Sequence, residues 1–252
     1  MVGYFTATIF GPDDLTLLKG GPGERRTFLD DLLVDLDPRL HKTCINLERV
    51  IRQRNTLLRQ AGGQLTPGVG NSLDVWDSKL VETGEVLIAA RQRLVERLSS
   101  LFDEHLGMLS GDVSNASMAY EQSWSGSDLA AAMSKSRRDD IRRGTSTVGP
   151  HRDEVSITLD NLGARYHSSQ GEQRSLALAM RLAGHYLVSE DTGMRPVVLL
   201  DDVFSELDSD RSTALVALLP EAQAVLTSTG NLPPGVVADH WYQIAAGRVD
   251  VQ

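Results

Sequence analysis

Cysteine is almost missing from this sequence: Cys44 stands alone, so no disulfide can close within one chain. Also missing is any apolar run long enough to span a bilayer or to act as a secretory signal. Both absences predict a reducing, cytoplasmic setting with no membrane partner. Positive charge is the scarcer sign, with 25 Lys and Arg against 34 Asp and Glu and a net charge of −9. That balance excludes a protein that coats nucleic acid with its whole surface and confines any DNA contact to a local basic strip. No Gly-Lys pair occurs, so the phosphate-binding loop G-x-x-x-x-G-K-[ST] is absent, and the nearest glycine-rich stretch, Gly20-Gly21-Pro22-Gly23-Glu24, lacks the lysine.

What is present is enough to fold. Of 252 residues, 41% are apolar and 23% charged, which suits one large domain or a head with an appendage. The organising stretch runs from Val197 to Asp208. Val197-Val198-Leu199-Leu200 is apolar throughout, which predicts a strand buried on both faces, because a half-exposed strand would alternate. It ends in Asp201-Asp202, whose side chains diverge where the carboxyl ends of parallel strands meet ligands. An apolar strand ending in Asp is the Walker B pattern, in which the first carboxylate holds Mg²⁺ and the next positions the attacking water.

Along the rest of the chain, Tyr4 to Phe10 is strand-like but starts almost at the first residue, with no preceding element to pair with. Glu24 to Val34 follows as a helix with Phe28, Leu29, Leu32 and Leu33 on one face and Asp30 and Asp31 on its solvated side. From Pro38 to Phe102 two apolar stripes predict an antiparallel helical hairpin: Leu40, Cys44, Leu47, Ile51 and Leu58, then Trp76, Leu80, Leu87, Leu94, Leu98 and Leu101. Gly62-Gly63 and Pro67-Gly68-Val69-Gly70 mark the reversal. Arg49, Arg52, Arg54, Arg59, Arg91, Arg93 and Arg97 on its polar faces suit either a solvated surface or contact with a phosphate backbone.

Ala116 to Trp124 alternates as a strand, and Ser127 is placed to cap a helix towards Arg143. That helix carries the densest basic cluster, Lys135, Arg137, Arg138, Arg142 and Arg143, interrupted by Asp139 and Asp140; an exposed helix face and a DNA contact both fit. His151 has no partner at metal-ligand spacing, so a loop hydrogen bond is its expected role. Val155 to Leu159 and Ala164 to His167, joined at Asp160-Asn161-Leu162-Gly163, read as a hairpin. Ser169 and Glu172 form a capping box at the start of a long helix. Gly171 in its first turn costs roughly 1 kcal/mol relative to alanine, which points to a close approach by another backbone or a phosphate at a helix N-terminus. Ala224 to Thr229 reads as the next buried strand, ending in hydroxyls at the ligand edge.

Four stretches together resemble the RecF family of bacterial recombination mediators, within the ABC/SMC-type ATPase class. They are Glu24 to Leu33, Val148-Gly149-Pro150-His151-Arg152-Asp153, Ser169-Gln170-Gly171-Glu172-Gln173-Arg174-Ser175-Leu176, and Val198 to Asp208. The resemblance implies an α/β fold: an ABC-ATPase-like head with an inserted antiparallel helical arm, and with the P-loop lobe absent from this chain. Its divisions would be 1–37, remainder of the N-terminal head lobe; 38–106, the arm; and 107–252, the C-terminal head lobe. It implies Ser169, Gln170, Gly171, Glu172 and Gln173 as the signature loop facing nucleotide on a second head, with Asp208 of the D-loop and Thr229 of the switch position also at the nucleotide. Asp201 would serve Mg²⁺ and Asp202 would be the catalytic carboxylate. From charge alone, DNA contact is expected at the arm and at the Lys135 to Arg143 cluster, through Arg137, Arg138, Arg142 and Arg143 and without base preference. Gln170 stands where most ABC proteins have the first of two glycines, which fits this family better than a transporter, and Thr229 stands where they usually have the switch histidine, so slow ATP hydrolysis is expected. The implied function is ATP-dependent DNA binding in gap repair, with RecO and RecR as partners and an ATP-dependent homodimer. The alternative is a nucleotide-independent module that binds DNA or partners without hydrolysis.

Overall fold

The computed structural model describes residues 5–111, 115–124, 128–230 and 232–251. Strand β1 (Ala7–Phe10) leads through the 3-10 turn Pro12–Asp14 into α1 (Leu15–Lys19) and α2 (Pro22–Leu36). Helices α3 (Leu40–Gln60) and α4 (Pro67–Ser110) follow as the expected antiparallel pair. Next come β2 (Ala116–Glu121), α5 (Leu129–Arg143), β3 (Glu154–Leu159), β4 (Leu162–Gly163) and α6 (Ala164–His167). The chain closes with α7 (Gln170–Thr192), β5 (Val197–Asp201), the 3-10 turn Val203–Glu206, α8 (Ser209–Leu218), β6 (Ala224–Thr227), β7 (Tyr242–Ala245) and β8 (Arg248–Val251). No helix among the described residues is long and apolar enough to cross a membrane. Tyr4 and Ser127, read above as a strand residue and a cap, lie outside the described residues; the cap seen on α5 is Asp128, which accepts from Ala131 N.

Local chemistry accounts for the helix ends. The hydroxyl of Thr66 accepts from Val69 N, Pro67 opens α4, and Gly111 closes it in the left-handed region, leaving 44 residues, about 66 Å at 1.5 Å per residue. At the reversal before it, Gly62 and Gly63 take φ of 55° and 83°. The first half of α4 packs on α3 and α5, around Leu58, Leu73 and Ile141, while its second half packs on α7 and β2. Helix α7 is therefore enclosed, with Leu176, Ala177, Leu178, Ala179 and Met180 all buried, and α1, α2 and β1 cover its other sides.

A parallel sheet in the order β1-β5-β6 lies against α7. Register aligns Phe10 with Leu200 and Leu226, and Ile9 with Leu199 and Val225. The first row is the one turned to the core, with Phe10 and Leu200 buried. The second is not covered: Ile9 is 55% and Val225 51% exposed, and Leu199 is half-buried. This corrects two expectations, since β5 is fully buried on one face only and β6 is largely exposed. An all-apolar run is compatible with both arrangements; what decides is which layers pack on the sheet.

Charge placement corrects three more. Arg54 has no exposed surface; it donates Nε to Asp77 at 2.6 Å and Nη1 to Asp140 and Ser146 at 2.8 Å. Arg91 is equally enclosed, its fork spanning both oxygens of Asp30 at 2.8 and 2.7 Å, so Asp30 is an ion-pair partner and not a solvated residue. Neither arginine lies on a polar face of the arm. The hairpin after β3 turns at Asp160-Asn161, both with positive φ, but its return strand is only Leu162–Gly163, and Ala164–His167 coils into α6.

Candidate nucleotide-binding edge

The carboxyl end of β5 carries the two aspartates expected there. Asp201 is exposed and accepts from Thr227 Oγ1 on the neighbouring strand at 2.6 Å. Asp202 sits at φ 49° and ψ 26°, a left-handed conformation that Asp adopts more readily than most side chains. It is held there on three sides. Its N–H donates to the Thr227 carbonyl at 3.2 Å, its carbonyl accepts from Ser205 Oγ at 2.8 Å, and its Oδ1 faces both the N–H and the hydroxyl of Thr229 at 3.4 Å. The strained residue thus turns the chain out of the sheet and into the Val203–Glu206 turn.

The N-terminus of α7 forms the predicted capping box. Ser169 Oγ accepts from Glu172 N at 3.3 Å and Glu172 Oε2 accepts from Ser169 N at 2.6 Å; these bonds hold the Glu172 carboxyl below its usual range. Gln170 is exposed beside them. Gln173 points inward, its amide donating to the carbonyls of Arg165 and Ser168 at 3.2 and 3.1 Å, so it pins the turn between α6 and α7. The close neighbour of Gly171 is a side chain of this chain: a Cβ there would lie 2.9 Å from Arg211 Nη1. Arg211 in turn donates to Asp208 at 2.7 Å, and the Asp208 carboxylate caps α8 by accepting from Arg211 N at 2.9 Å.

A second arginine ties the same parts together. Arg174 of α7 pairs with Glu206 at 3.1 Å and donates to the Glu206 carbonyl at 2.9 Å. A cavity of about 30 Å³, room for one water, is lined there by Gly11, Asp14, Arg174, Asp202 and Glu206. Asp14 anchors its far side: buried, it accepts from Arg181 Nε at 2.8 Å and from Gly11 N at 2.9 Å, yet burial still raises its carboxyl above the usual range. Ser169 to Gln173, Asp208, Asp202 and Thr229 thus belong to one linked edge, with Asp201 beside it. Arg174 stands in the stretch that resembles the RecF family but carries no expected role there, and nothing in spacing or composition marks Arg211; together they make the links.

The basic cluster divides. Arg137 is half-buried, with its guanidinium 2.6 Å from Asp74 and 2.8 Å from the Gly70 carbonyl, and Arg142 pairs with Asp139 at 2.8 Å. Arg138 and Arg143 are exposed and form no ion pair among the described residues.

A parallel sheet with paired carboxylates at its carboxyl end, flanked by the capped N-terminus of a buried helix and crossed by a long helical pair, defines the head of an ABC/SMC-type ATPase. The head domain of an SMC protein bound to the winged-helix domain of ScpA shares this fold at a TM-score of 0.51 and 16% identity. No family model matches the chain. Its relatives are specific, however. The DNA replication and repair protein RecF of Streptomyces avermitilis is 38% identical over 266 residues, covering 99% of this chain and 71% of that protein. RecF of Beutenbergia cavernae is 38% identical over 284 residues, covering 99% and 70%. The solved recombination mediator protein RecF with ATP superposes at a TM-score of 0.88 with 29% identity, covering all of this chain and 68% of that one. The chain belongs to the RecF family.

Proposed function

We propose that this chain supplies the signature, Walker B and D-loop side of an ATP-responsive DNA-binding head that serves DNA replication and recombinational repair. Family membership supports the reading, and one observation carries it: Asp202, the N-terminus of α7 and the Asp208 turn form a single edge bridged by Arg174 and Arg211. The solved RecF neighbours are RecF with ATP and RecF with ATPrS, both in the RecFOR pathway. By extension the partners are DNA at a gap, RecO and RecR, and a second head. Residues 1–37 and 107–252 would make the head and 38–106 the arm.

The residues fit part of a nucleotide site. Asp201 offers a hard, exposed carboxylate oxygen and would hold Mg²⁺, which when bound neutralises phosphate charge. Asp202, fixed beside Thr229, would accept a hydrogen bond from the attacking water and orient it. Gln170 and Gly171 lie in the first turn of α7, where N–H groups have no intrahelical partner, and would present them to a phosphate on the facing head. Ser169, Glu172 and Gln173 would fix that turn, and Asp208 would hold Arg211 over it.

The test is a chimaera in which this chain replaces the matching segment of the Streptomyces avermitilis relative. It should dimerise and hydrolyse ATP slowly, and Asp202→Asn should abolish turnover while leaving ATP-driven dimerisation. Turnover at the parent rate would take the catalytic role from Asp202. DNA binding that is indifferent to ATP would favour a nucleotide-independent binding module.

A further inference from the structure

Around the junction of α3, α5 and α2, four arginines have no carboxylate partner among the described residues. Arg59, exposed near the end of α3, packs on the turn after α5: a Cβ on Gly144 would lie 3.4 Å from Arg59 Cγ. Arg143, exposed, is the residue before that glycine. Arg152, also exposed, reaches the two residues after it, donating Nε to the Ser146 carbonyl at 3.0 Å and Nη2 to Thr145 Oγ1 at 3.3 Å. Arg26 of α2 donates Nη1 to the carbonyl of Asp153, the neighbour of Arg152, at 2.6 Å. The four arginines thus come from four segments of the chain that meet around the turn after α5 and the strand start at Asp153.

The acids near them are committed elsewhere. Glu154 is taken by Arg25, Asp153 accepts from Tyr120 and Ser123, Asp140 holds Arg54, and Asp139 holds Arg142. Arg26 and Arg152 are oriented by carbonyl and hydroxyl oxygens, which fix a guanidinium without cancelling its charge. His151 lies among these groups: burial first, then the charges of Arg152, Arg26 and Arg54, push its imidazole down to about 4.

We propose that Arg59, Arg143, Arg152 and Arg26 form a track for the phosphate backbone of DNA, running from the arm across the end of α5 to α2. The track rests on the DNA-binding reading above and moves the contact away from Arg137 and Arg142, whose charge Asp74 and Asp139 already neutralise. Since the residues come from separate elements and meet no base-reading helix, binding is indifferent to sequence and steeply dependent on salt.

The test is fluorescence anisotropy of this chain with a labelled mixed-sequence duplex between about 50 and 200 mM salt. Each phosphate contact contributes about −0.9 to the slope of log K against log salt, so four give about −3 to −4. Replacing all four arginines by Gln should weaken binding at least about tenfold at low salt and flatten the slope by about 3. The four-Lys variant should keep the slope, which separates loss of charge from loss of fold. Arg137→Gln with Arg142→Gln should change it by less than about 1. If the four-Gln variant does not melt cooperatively, the single changes Arg59→Gln and Arg143→Gln, neither of which makes a hydrogen bond to a loop among the described residues, should each flatten the slope by about 1. A parent that binds with a slope untouched by these changes overturns the track and leaves the DNA reading standing. A parent with no salt-dependent binding overturns both.

Discussion

Arg54 on α3 and Asp140 on α5 meet at 2.8 Å with neither side chain reaching solvent, so the arm is fastened to the basic helix by a buried ion pair. Around it the Asp140 oxygens also accept from Thr147 N at 2.9 Å, and Asn55 accepts from Ser146 N and Oγ, which closes the loop after α5 onto α3. Removing Asp140 leaves the buried Arg54 with Asp77 as its remaining carboxylate and takes the acceptor from Thr147 N. Asp140→Leu is therefore expected to destabilise the chain by about 1 to 3 kcal/mol, whereas adding Arg54→Met should recover part of that loss. Urea denaturation of the single and double variants decides it; an additive double variant would mean the pair is not coupled.

Asp202 gives a second expectation, from backbone geometry. At φ 49° an alanine meets a penalty of about 1 to 2 kcal/mol that asparagine mostly avoids. Asp202→Asn should thus melt close to the parent and Asp202→Ala clearly lower. Equal melting temperatures would show that the left-handed turn relaxes at no cost.

These two sites show what a sequence displays and what it hides. The Asp pair, the capping box at Ser169 and Glu172, and the long helices were legible because each depends on neighbours within a turn or a strand. Arg54 and Arg91 looked like solvated arm residues because their partners, Asp140 and Asp30, lie 86 and 61 positions away. The same holds for Arg211 beside Gly171, where the glycine was noticed but not the guanidinium that needs its space. β6 misled for a different reason: its apolar residues promised burial, and burial is a property of the layers packed on a sheet, which no single strand encodes.

His151 sets a pH dependence. Its folded pKa, about 4, lies below the ordinary 6.5, so between these values the unfolded chain binds a proton that the folded chain refuses. Stability contributed by the neutral imidazole is complete above pH 6.5 and falls as pH drops towards 4, by roughly 3 kcal/mol in all. Asp14 and Asp153, whose folded pKa values are raised, act with the opposite sign in the acid range, so the difference between parent and variant is the informative quantity. His151→Gln, whose amide nitrogen can take the place of Nε2 against the Ser146 carbonyl, should remove this slope. A parent and variant whose stabilities run parallel from pH 7 to pH 4 would contradict it.

The last expectation concerns Gly171 and Arg211. Alanine in a first helical turn is intrinsically better than glycine by about 0.5 to 1 kcal/mol. Here the added methyl would stand 2.9 Å from Arg211 Nη1, so the guanidinium has to swing away and give up its place between Asp208 and the start of α7. Gly171→Ala should therefore stabilise the chain fully only when Arg211 is already gone. In the parent background the gain should be smaller or reversed, and the cycle with Arg211→Ala should show a coupling of about 0.5 kcal/mol or more, as expected for residues in contact. Identical effects of Gly171→Ala in both backgrounds would mean that Arg211 does not account for the glycine. In the ATP-binding chimaera, Arg211→Ala alone should leave the capping box intact, because Ser169 and Glu172 bond each other and not the arginine. A loss of ATP-driven dimerisation there would then be traced to the edge itself and not to a frayed helix.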